Sequence, residues 1–236
     1  MDLGEHTFLI TGGGKKLGRF FVERFLAEGA GHIVATCWHS CDTVPQDPRV
    51  TVIRQNLMEE RAAENLVAEL DRRGLQVDIL INNAGVFDPT DLAHLTPGHW
   101  RKLMHINLKA PYLLSVLLGL RMKERGWGRI VNIADVWGLK PLKGRSVYSV
   151  SKAALVMATR SLAIELAPEV RVNALAPGPI WFPETMTEEE KRRAVDRVPL
   201  QRKGEPEELF QALRFLLEAP FMTGVVLPVD GGRHLR

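Results

Sequence analysis

A glycine-rich turn between a short apolar strand and a helical segment constrains the fold of this chain most strongly. The strand is Thr7–Ile10, and the turn over residues 11–18 leads into a helical pattern that ends near residue 29. Gly12 permits a tight bend, and Gly18 lets the helix pack close to the strand. Free backbone N–H groups at the start of such a helix favour a pyrophosphate. The segment therefore predicts a dinucleotide-binding unit.

The same alternation of short apolar runs and helical patterns continues along the chain. Further strands are predicted over residues 33–38, 50–53, 77–81, 130–133, 170–175 and 225–229. Helical patterns separate these runs, and no repeat or low-complexity linker interrupts them. Such alternation predicts an α/β Rossmann-type fold, a doubly wound parallel sheet with helices on both faces. We expect residues 1–236 to form one domain, with the site at the carboxyl ends of the strands.

Composition and charge make several classes of partner improbable. The formal net charge is only +3, with Lys and Arg dispersed among Asp and Glu, so we expect neither nucleic-acid nor membrane binding. The N-terminus does not resemble a signal peptide, and the chain is expected in the cytoplasm. Cys37 and Cys41 lack the further ligands that a zinc site requires. We therefore expect two reduced thiols and no metal site.

Tyr148 and Lys152 are four residues apart in the helix predicted from about Ser146 to Ala167. They therefore lie on one face, one turn apart. An ammonium about 4 Å from a phenol favours the phenolate by up to ~4 kcal/mol, or up to ~3 pKa units. Part of that effect brings a tyrosine into the range useful for general acid–base catalysis. A Tyr and a Lys on a surface helix give the same spacing, so the pair needs a nucleotide site elsewhere in the chain.

The end of the second strand indicates which dinucleotide is preferred. A cofactor with a free ribose 2′-hydroxyl favours an acidic residue there, whereas this chain has His39 and Ser40. Lys15 and Lys16 add positive charge from the glycine turn. These features favour the 2′-phosphate of NADP(H) over NAD(H), although two solvated loop lysines would leave the same pattern.

Other polar or flexible segments follow predicted strands. Asn56 and Leu57 follow the third strand, where an adenine edge could meet them, and Asn82-Asn83-Ala84-Gly85 follows the fourth. Asn107 interrupts an apolar helix and acts either in the site or as a structural amide. Residues 181–203, which include Trp181, form either a loop that covers the substrate or an exposed surface helix.

Together these pieces resemble the short-chain dehydrogenase/reductase family over nearly the full length. The matching segments are Thr11-Gly12 with Gly18, Asn82-Asn83-Ala84-Gly85, Asn107, Tyr148 with Lys152, Pro177-Gly178, and Val229-Asp230-Gly231-Gly232. The resemblance implies seven strands, nicotinamide-dependent oxidoreduction of a small molecule, and a homodimer or homotetramer. It also implies that Tyr148 donates a proton and that Lys152 lowers its pKa and binds the nicotinamide ribose. Asn107 would hold a water in the proton relay.

Two departures from the family pattern bear on the substrate. Lys16 replaces the middle glycine of the turn, and Asp135 stands 13 residues before Tyr148, where the family usually has Ser. The site has either decayed or belongs to a subgroup, and pteridine reductases are similar to this chain at both positions. Phe87 matches the aromatic residue that those enzymes stack on a pterin, although ordinary loop packing explains it equally. Asp135 suits proton delivery to a pterin C=N bond, since a carboxylate is a poor partner for a developing alkoxide.

The expected function is therefore NADPH-dependent reduction of a pterin or dihydropterin, with Asp135, Tyr148, Lys152 and Asn107 as catalytic residues. The alternatives are a 3-oxoacyl-carrier-protein or general carbonyl reductase, and a non-catalytic NADP(H) sensor. The residues expected to contact the cofactor are Thr11, Gly12, Lys15, Lys16, Leu17, Gly18, His39, Ser40, Asn56, Leu57, Asn83, Ala84, Gly85, Tyr148, Lys152, Pro177, Gly178 and Ile180. Those expected to contact the substrate are Lys16, Phe87, Asp135, Tyr148 and Trp181.

Overall fold

A parallel sheet forms the centre of the protein in a computed structural model that describes residues 1–182 and 186–236. Its strands are β1 Thr7–Ile10, β2 His32–Cys37, β3 Val50–Arg54, β4 Ile79–Asn82, β5 Gly128–Ile133, β6 Val170–Pro177 and β7 Val226–Val229. They lie side by side in the order β3-β2-β1-β4-β5-β6-β7. Each neighbouring pair is parallel, and the order reverses between β1 and β4. The predicted seven-stranded Rossmann-type sheet is confirmed, and a crevice opens where the order reverses.

Helices cover both faces of the sheet. They are α1 Lys16–Ala27, α2 Ala62–Arg72, α3 Pro97–Met104, α4 Ala110–Glu124, α5 Ser146–Glu165, α6 Glu188–Asp196 and α7 Pro206–Glu218. A π-helical turn, His105–Lys109, joins α3 to α4, and short 3₁₀ turns occupy Val136–Gly138 and Arg233–Leu235. The sequence predicted one uninterrupted helix from Pro97 to about residue 125, and the structure keeps it continuous but widens it around Asn107.

Two apolar clusters bury the two faces of the sheet. On one face, Phe8 of β1 packs with α1 and α7, and the rings of Phe25 and Phe210 are 5.0 Å apart, edge to face. On the other face, strands β1, β4 and β5 pack against α2, α4 and α5. Because both faces are covered, the strands are almost uniformly apolar, as parallel strands between helix layers are. The polar side chains of the site are left at the carboxyl ends.

The helical stretch Pro97–Glu124 is long and apolar enough to span a membrane, and 44% of its most apolar window is buried inside the molecule. Its α4 part packs against α2 and β5. Buried core helices of globular proteins have the same length and composition. The absence of a membrane partner stays a prediction.

The segment predicted to cover the substrate, residues 181–203, contains α6. Within the described residues, no side chain of α6 is fully buried, and Thr187 and Glu190 form a reciprocal cap at its start. Residues 183–185 of this segment lie outside the described residues. An exposed helix is compatible with both expectations, so the covering role stays a prediction.

Close packing around Gly18 gives a test of the glycine turn. A Cβ atom at Gly18 would overlap the backbone carbonyl of Gly12 and the amide of Asn83, neither of which can move freely. We expect Gly18→Ala to lower the free energy of unfolding by about 1–3 kcal/mol, measured by urea denaturation.

Gly98→Ala is the matched control for that substitution. Gly98 lies in the first turn of α3 with open space around it, the nearest atom to an added Cβ being 3.9 Å away. Alanine should raise the unfolding free energy there by about 0.5–1 kcal/mol, through helix propensity. Equal effects of the two substitutions would contradict the close packing at Gly18.

Candidate active site

The hydrogen bond from Tyr148 to Asp135 lies at the centre of the candidate site. The Tyr148 hydroxyl, on the first turn of α5, donates to Oδ2 of Asp135 over 2.7 Å. Asp135 lies just beyond the carboxyl end of β5, and its Oδ1 accepts from the backbone N–H of Trp137 over 2.9 Å. It thereby caps the 3₁₀ turn Val136–Gly138. Both carboxylate oxygens are therefore fixed by neighbouring groups.

Burial changes the acidity of both members of this pair. The pKa of Asp135 is raised from its ordinary value, chiefly by burial, although the hydrogen bond from Tyr148 opposes that shift. The pKa of Tyr148 is raised well above 10, first by burial and then by the neighbouring Asp135 charge. A raised Asp135 pKa makes the carboxyl group a better acceptor for a proton that passes through Tyr148. The pair can hold and deliver one proton between them.

Lys152 does not act on Tyr148 in the way that the helical spacing predicted. Its Nζ donates to the backbone carbonyl of Ile133 over 2.8 Å and lies 5.9 Å from the centre of the Tyr148 ring. The pKa of Tyr148 is therefore raised and not lowered as expected, because burial and the Asp135 charge outweigh a cation at that distance. Burial also lowers the pKa of Lys152 to about 8.

Asn107 is buried in the π-helical turn and makes specific contacts. Its Oδ1 accepts from the backbone N–H of Val86 over 2.9 Å. Its Nδ2 donates to the carbonyl of Val86 over 3.0 Å and to the hydroxyl of Ser151 over 3.1 Å. Both amide hydrogens are thus engaged, so the side chain ties the loop after β4 to α5. The predicted water-holding role is not tested by these contacts.

Phe87 forms one wall beside Tyr148, with the two rings edge to face and their centres 4.7 Å apart. Trp137, Val147 and Leu103 join the same apolar cluster. The guanidinium of Arg145 lies over the Phe87 ring, 3.9 Å from its centre. Sequence reasoning missed Arg145, whose one signal is a cation three residues before Tyr148.

The glycine turn and the end of β4 are linked by hydrogen bonds. The Thr11 hydroxyl accepts from the backbone N–H groups of Asn83 and Ala84, both over 3.0 Å, and the Asn83 amide donates to the Thr11 carbonyl over 2.9 Å. Gly12 and Lys16 both have positive φ, 70° and 48°. Lys16 thus adopts a backbone conformation that glycine tolerates best, which explains why the family usually has glycine there. Its side chain, like that of Lys15, is exposed.

The two cysteines are joined in a disulfide, so the expectation of free thiols is wrong. Cys37 ends β2 and Cys41 lies 5.2 Å away between Cα atoms, closing a short loop that contains His39 and Ser40. The backbone of Ser40 packs directly on Gly14, where any Cβ atom would overlap it. Thr43 donates to the carbonyls of both Gly14 and Ser40. The disulfide loop is therefore fixed against the glycine turn.

The remaining predicted cofactor residues lie along the same edge of the sheet. Asn56 and Leu57 follow β3, and the Asn56 carboxamide oxygen accepts from the Met58 N–H over 3.0 Å. Gly178 follows β6 and packs so closely on Asp230 that a Cβ atom would lie 2.6 Å from the Asp230 Cα. Ile180 is buried, whereas Trp181 is 51% exposed and lines a cavity of about 660 Å³ beside α6.

These features fit a nicotinamide dinucleotide. Gly85 leaves open backbone beside Lys152, since a Cβ atom there would lie 3.5 Å from the Lys152 Nζ. The ammonium carries three hydrogens, and within the described residues it has one hydrogen-bond acceptor, the Ile133 carbonyl. Two donors therefore remain for ribose hydroxyls. The glycine turn and the N-terminus of α1 suit the pyrophosphate.

Comparison with known proteins identifies the family. A family model described as enoyl-(acyl carrier protein) reductase matches residues 15–234. The chain is 33% identical, over 236 residues, to the 3-oxoacyl-[acyl-carrier-protein] reductase FabG of Aquifex aeolicus, and the match covers 95% of each chain. This chain belongs to the short-chain dehydrogenase/reductase family.

Solved structures of short-chain dehydrogenases/reductases superpose closely on this one. The FolM alternative dihydrofolate reductase 1 of Brucella canis, complexed with NADP, is 30% identical with a TM-score of 0.90, covering 100% of this chain and 96% of its own. A 4-hydroxyisoleucine dehydrogenase complexed with NADH is also 30% identical with a TM-score of 0.90, covering 98% and 100%. The chain is accordingly an oxidoreductase that uses a nicotinamide cofactor.

The buried ammonium of Lys152 gives a testable effect on stability. Its pKa falls from 10.5 to about 8 on folding, so the folded state holds this proton less tightly than the unfolded state. Below pH 8 the charge is retained at a cost, and stability is regained as the pH rises from about 8 to 10.5. We expect Lys152→Met to raise the unfolding free energy at pH 7 by about 1–3 kcal/mol, through removal of the buried charge.

Urea denaturation of both proteins at pH 7 and pH 10 measures this effect. The advantage of the methionine variant should shrink at pH 10, where the wild-type ammonium loses its proton in the folded state. A Lys152→Met protein that is less stable at pH 7, or a difference that does not change with pH, would show that the charge is not costly.

Proposed function

We propose that this short-chain dehydrogenase/reductase is an NADPH-dependent reductase of a dihydropterin. The observation that carries the proposal is the hydrogen bond from the buried Tyr148 to a partly buried Asp135, where the family usually has Ser. Burial raises the pKa of Asp135 from its ordinary value, which makes the carboxyl group a better proton acceptor and relay beside the phenol. A carboxyl–phenol pair that relays a proton suits protonation of a nitrogen, whereas a carboxylate is a poor partner for a ketone oxygen that gains negative charge. The similarity to a FolM alternative dihydrofolate reductase supports the same substrate class.

A bound reduced nicotinamide would supply the hydride for the carbon of the substrate C=N bond. Tyr148 and Asp135 hold the proton that the substrate nitrogen takes up. Phe87 presents a flat apolar face beside Tyr148, suited to stacking on a bicyclic ring and worth about 1 kcal/mol. Lys152, anchored on the Ile133 carbonyl, would hold the nicotinamide ribose through its remaining N–H groups. Asn107 keeps the loop after β4 in register with α5.

The preference for NADPH rests on the charge around the ribose corner. Trp38 and His39, the residues that directly follow β2, are not acidic, so a 2′-phosphate meets no carboxylate there. Lys15 and Lys16 are exposed on the adjacent glycine turn and are free to approach a phosphate. The disulfide loop holds His39 and Ser40 near that turn.

A 3-oxoacyl-[acyl-carrier-protein] reductase is the second candidate. The sequence identity to FabG of Aquifex aeolicus favours it. The residue at position 135 separates the two candidates, since a carbonyl oxygen that gains negative charge needs a neutral donor and not a carboxylate. The non-catalytic sensor is the weakest alternative, because Tyr148, Asp135 and Lys152 are assembled into one buried cluster.

A substrate panel with two variants tests the proposal. Wild-type protein should oxidise NADPH with 7,8-dihydrobiopterin or 7,8-dihydrofolate faster than with a 3-oxoacyl thioester. Tyr148→Phe should lower kcat at least about a hundredfold while the Kd for NADPH changes less than about twofold, since only a proton donor is lost. Asp135→Ser should lower the ratio of pterin to ketone turnover about tenfold or more.

Three outcomes would overturn the assignment. Oxoacyl reduction without any pterin turnover favours the second candidate. Unchanged pterin turnover in Asp135→Ser removes the carboxylate from the mechanism. Tight NADPH binding without turnover of any substrate in the panel would favour the sensor.

We also propose that α4 and α5 contact a second copy of this chain. Val150, Met157 and Ile164 recur every seven residues along the outer face of α5, and Ile164 is 80% exposed. Tyr112 and Leu120 extend this exposed apolar surface onto α4. These exposed apolar side chains of α4 and α5 would be buried by the same surface of a second copy. Such a contact fits the expected homodimer or homotetramer. A cytoplasmic location stays a prediction.

Introducing negative charge on this apolar surface gives a direct test. Met157→Glu combined with Ile164→Glu should reduce the molar mass measured by light scattering at least about twofold, because two carboxylates would be buried between copies. Leu92→Glu, at a 76% exposed site in the loop after β4 and outside both helices, is the control and should leave the mass unchanged. An unaltered mass of the double variant would place the contact elsewhere.

A further inference from the structure

Arg145 makes two separate contacts with Phe87. Its guanidinium carbon lies 3.9 Å from the centre of the ring, and its Nη1 donates to the backbone carbonyl of the same residue over 2.6 Å. A stacked guanidinium that also holds the backbone restricts both the position and the rotation of the ring. Phe87 is therefore fixed by a residue that no family motif contains.

The loop that carries Phe87 is bound to the start of α5 by two further hydrogen bonds. The backbone N–H of Thr90 donates to the carbonyl of Gly144 over 2.7 Å, and its hydroxyl accepts from the N–H of Val147 over 3.4 Å. Arg145 occupies the cap position immediately before α5, whose first turn carries Tyr148. The Phe87 ring and the Tyr148 hydroxyl are consequently held in one rigid arrangement.

Charged groups on several elements face Tyr148. Asp135 approaches from the end of β5, and Lys152 lies one turn further along α5. Arg145 is the nearby cation that lowers the pKa of Tyr148, against the larger upward effects of burial and Asp135. Burial lowers the pKa of Arg145, and the charge of Asp88 in the Phe87 loop opposes that shift. Asp88 also pairs with Lys102 of α3 over 2.6 Å. The same guanidinium therefore contacts the Phe87 ring and acts on the pKa of Tyr148.

We propose that Arg145 is a positioning residue for the reduction, one that holds the Phe87 ring against the substrate and keeps a positive charge beside Tyr148 in addition to Lys152. The role of the ring rests on the proposed pterin substrate. The role of the charge applies to any substrate that receives its proton from Tyr148 and Asp135. Two substitutions separate these roles, because Arg145→Lys keeps the charge and loses the planar stack, whereas Arg145→Gln loses both.

The experiment measures kcat and KM from pH 6 to 11 with NADPH and 7,8-dihydrobiopterin, because the pKa of Tyr148 lies above 10. We expect KM to rise about fivefold in both variants, through loss of the fixed ring. The alkaline limb of kcat reports loss of the donated proton from the Tyr148–Asp135 pair. That limb should stay at the wild-type pH in Arg145→Lys and move up by roughly half a unit in Arg145→Gln, since removal of a cation raises the donor pKa.

Arg129→Gln is the matched control. Arg129 also lies over an aromatic ring, 4.3 Å from the centre of Trp127, but at the start of β5, the end of the strand opposite Asp135. Its loss should change the melting temperature without changing KM or the alkaline limb. The control thereby isolates the general effect of removing an arginine–aromatic stack.

The proposal is overturned if Arg145→Gln leaves both KM and the alkaline limb unchanged, or if both Arg145 variants reproduce only the stability change of Arg129→Gln. Failure of the pterin assignment gives a different result, in which wild-type protein reduces a 3-oxoacyl thioester but no pterin. The pH profiles are then measured with that thioester, and the difference between the Lys and Gln variants still decides the role of the charge.

Discussion

The hydrogen bond between the Tyr148 hydroxyl and Asp135 is the interaction on which the site depends. It joins the first turn of α5 to the carboxyl end of β5, and it places an acid and a phenol together in a buried position. Burial raises the pKa of both groups. Their mutual contact opposes the rise for Asp135 and adds to it for Tyr148. The scaffold around them has the task of keeping this pair aligned beside the nucleotide crevice.

The parallel strands supply that alignment because their carboxyl ends bring the polar side chains together at one edge of the sheet. The ends of β4 and β5 are adjacent in the sheet, so the loop after β4, Asp135 and α5 converge without a long connection. Asn107 then joins the loop after β4 to Ser151 of α5 from within a π-helical turn. Widened turns of this kind often occur at functional sites, because they turn a polar side chain inward from an otherwise apolar helix. The result is a small polar region against an apolar core.

The sequence predicted the sheet and the members of the site because both follow from local patterns. Short apolar runs that alternate with helical periodicity predict a doubly wound parallel sheet. The four-residue spacing of Tyr148 and Lys152 places both on one helix face. Three features could not be obtained in this way. The Lys152 amine turns to the Ile133 carbonyl, Cys37 bonds to Cys41, and Arg145 stacks on Phe87. Each feature depends on a side chain contacting a segment that is distant in sequence or brought close by a tight turn. Hydrophobic periodicity carries no information about such contacts.

The packing of Gly178 on Asp230 makes the segment after β7 a support for the crevice. The loop after β6 is held by residues 229–231, and Lys140, just beyond the 3₁₀ turn capped by Asp135, donates to the carbonyl of Arg233. This segment carries none of the proton chemistry, yet it supports two sides of the crevice. A change in residues 229–233 would therefore displace the loop after β6 and the 3₁₀ turn without removing any reactive group.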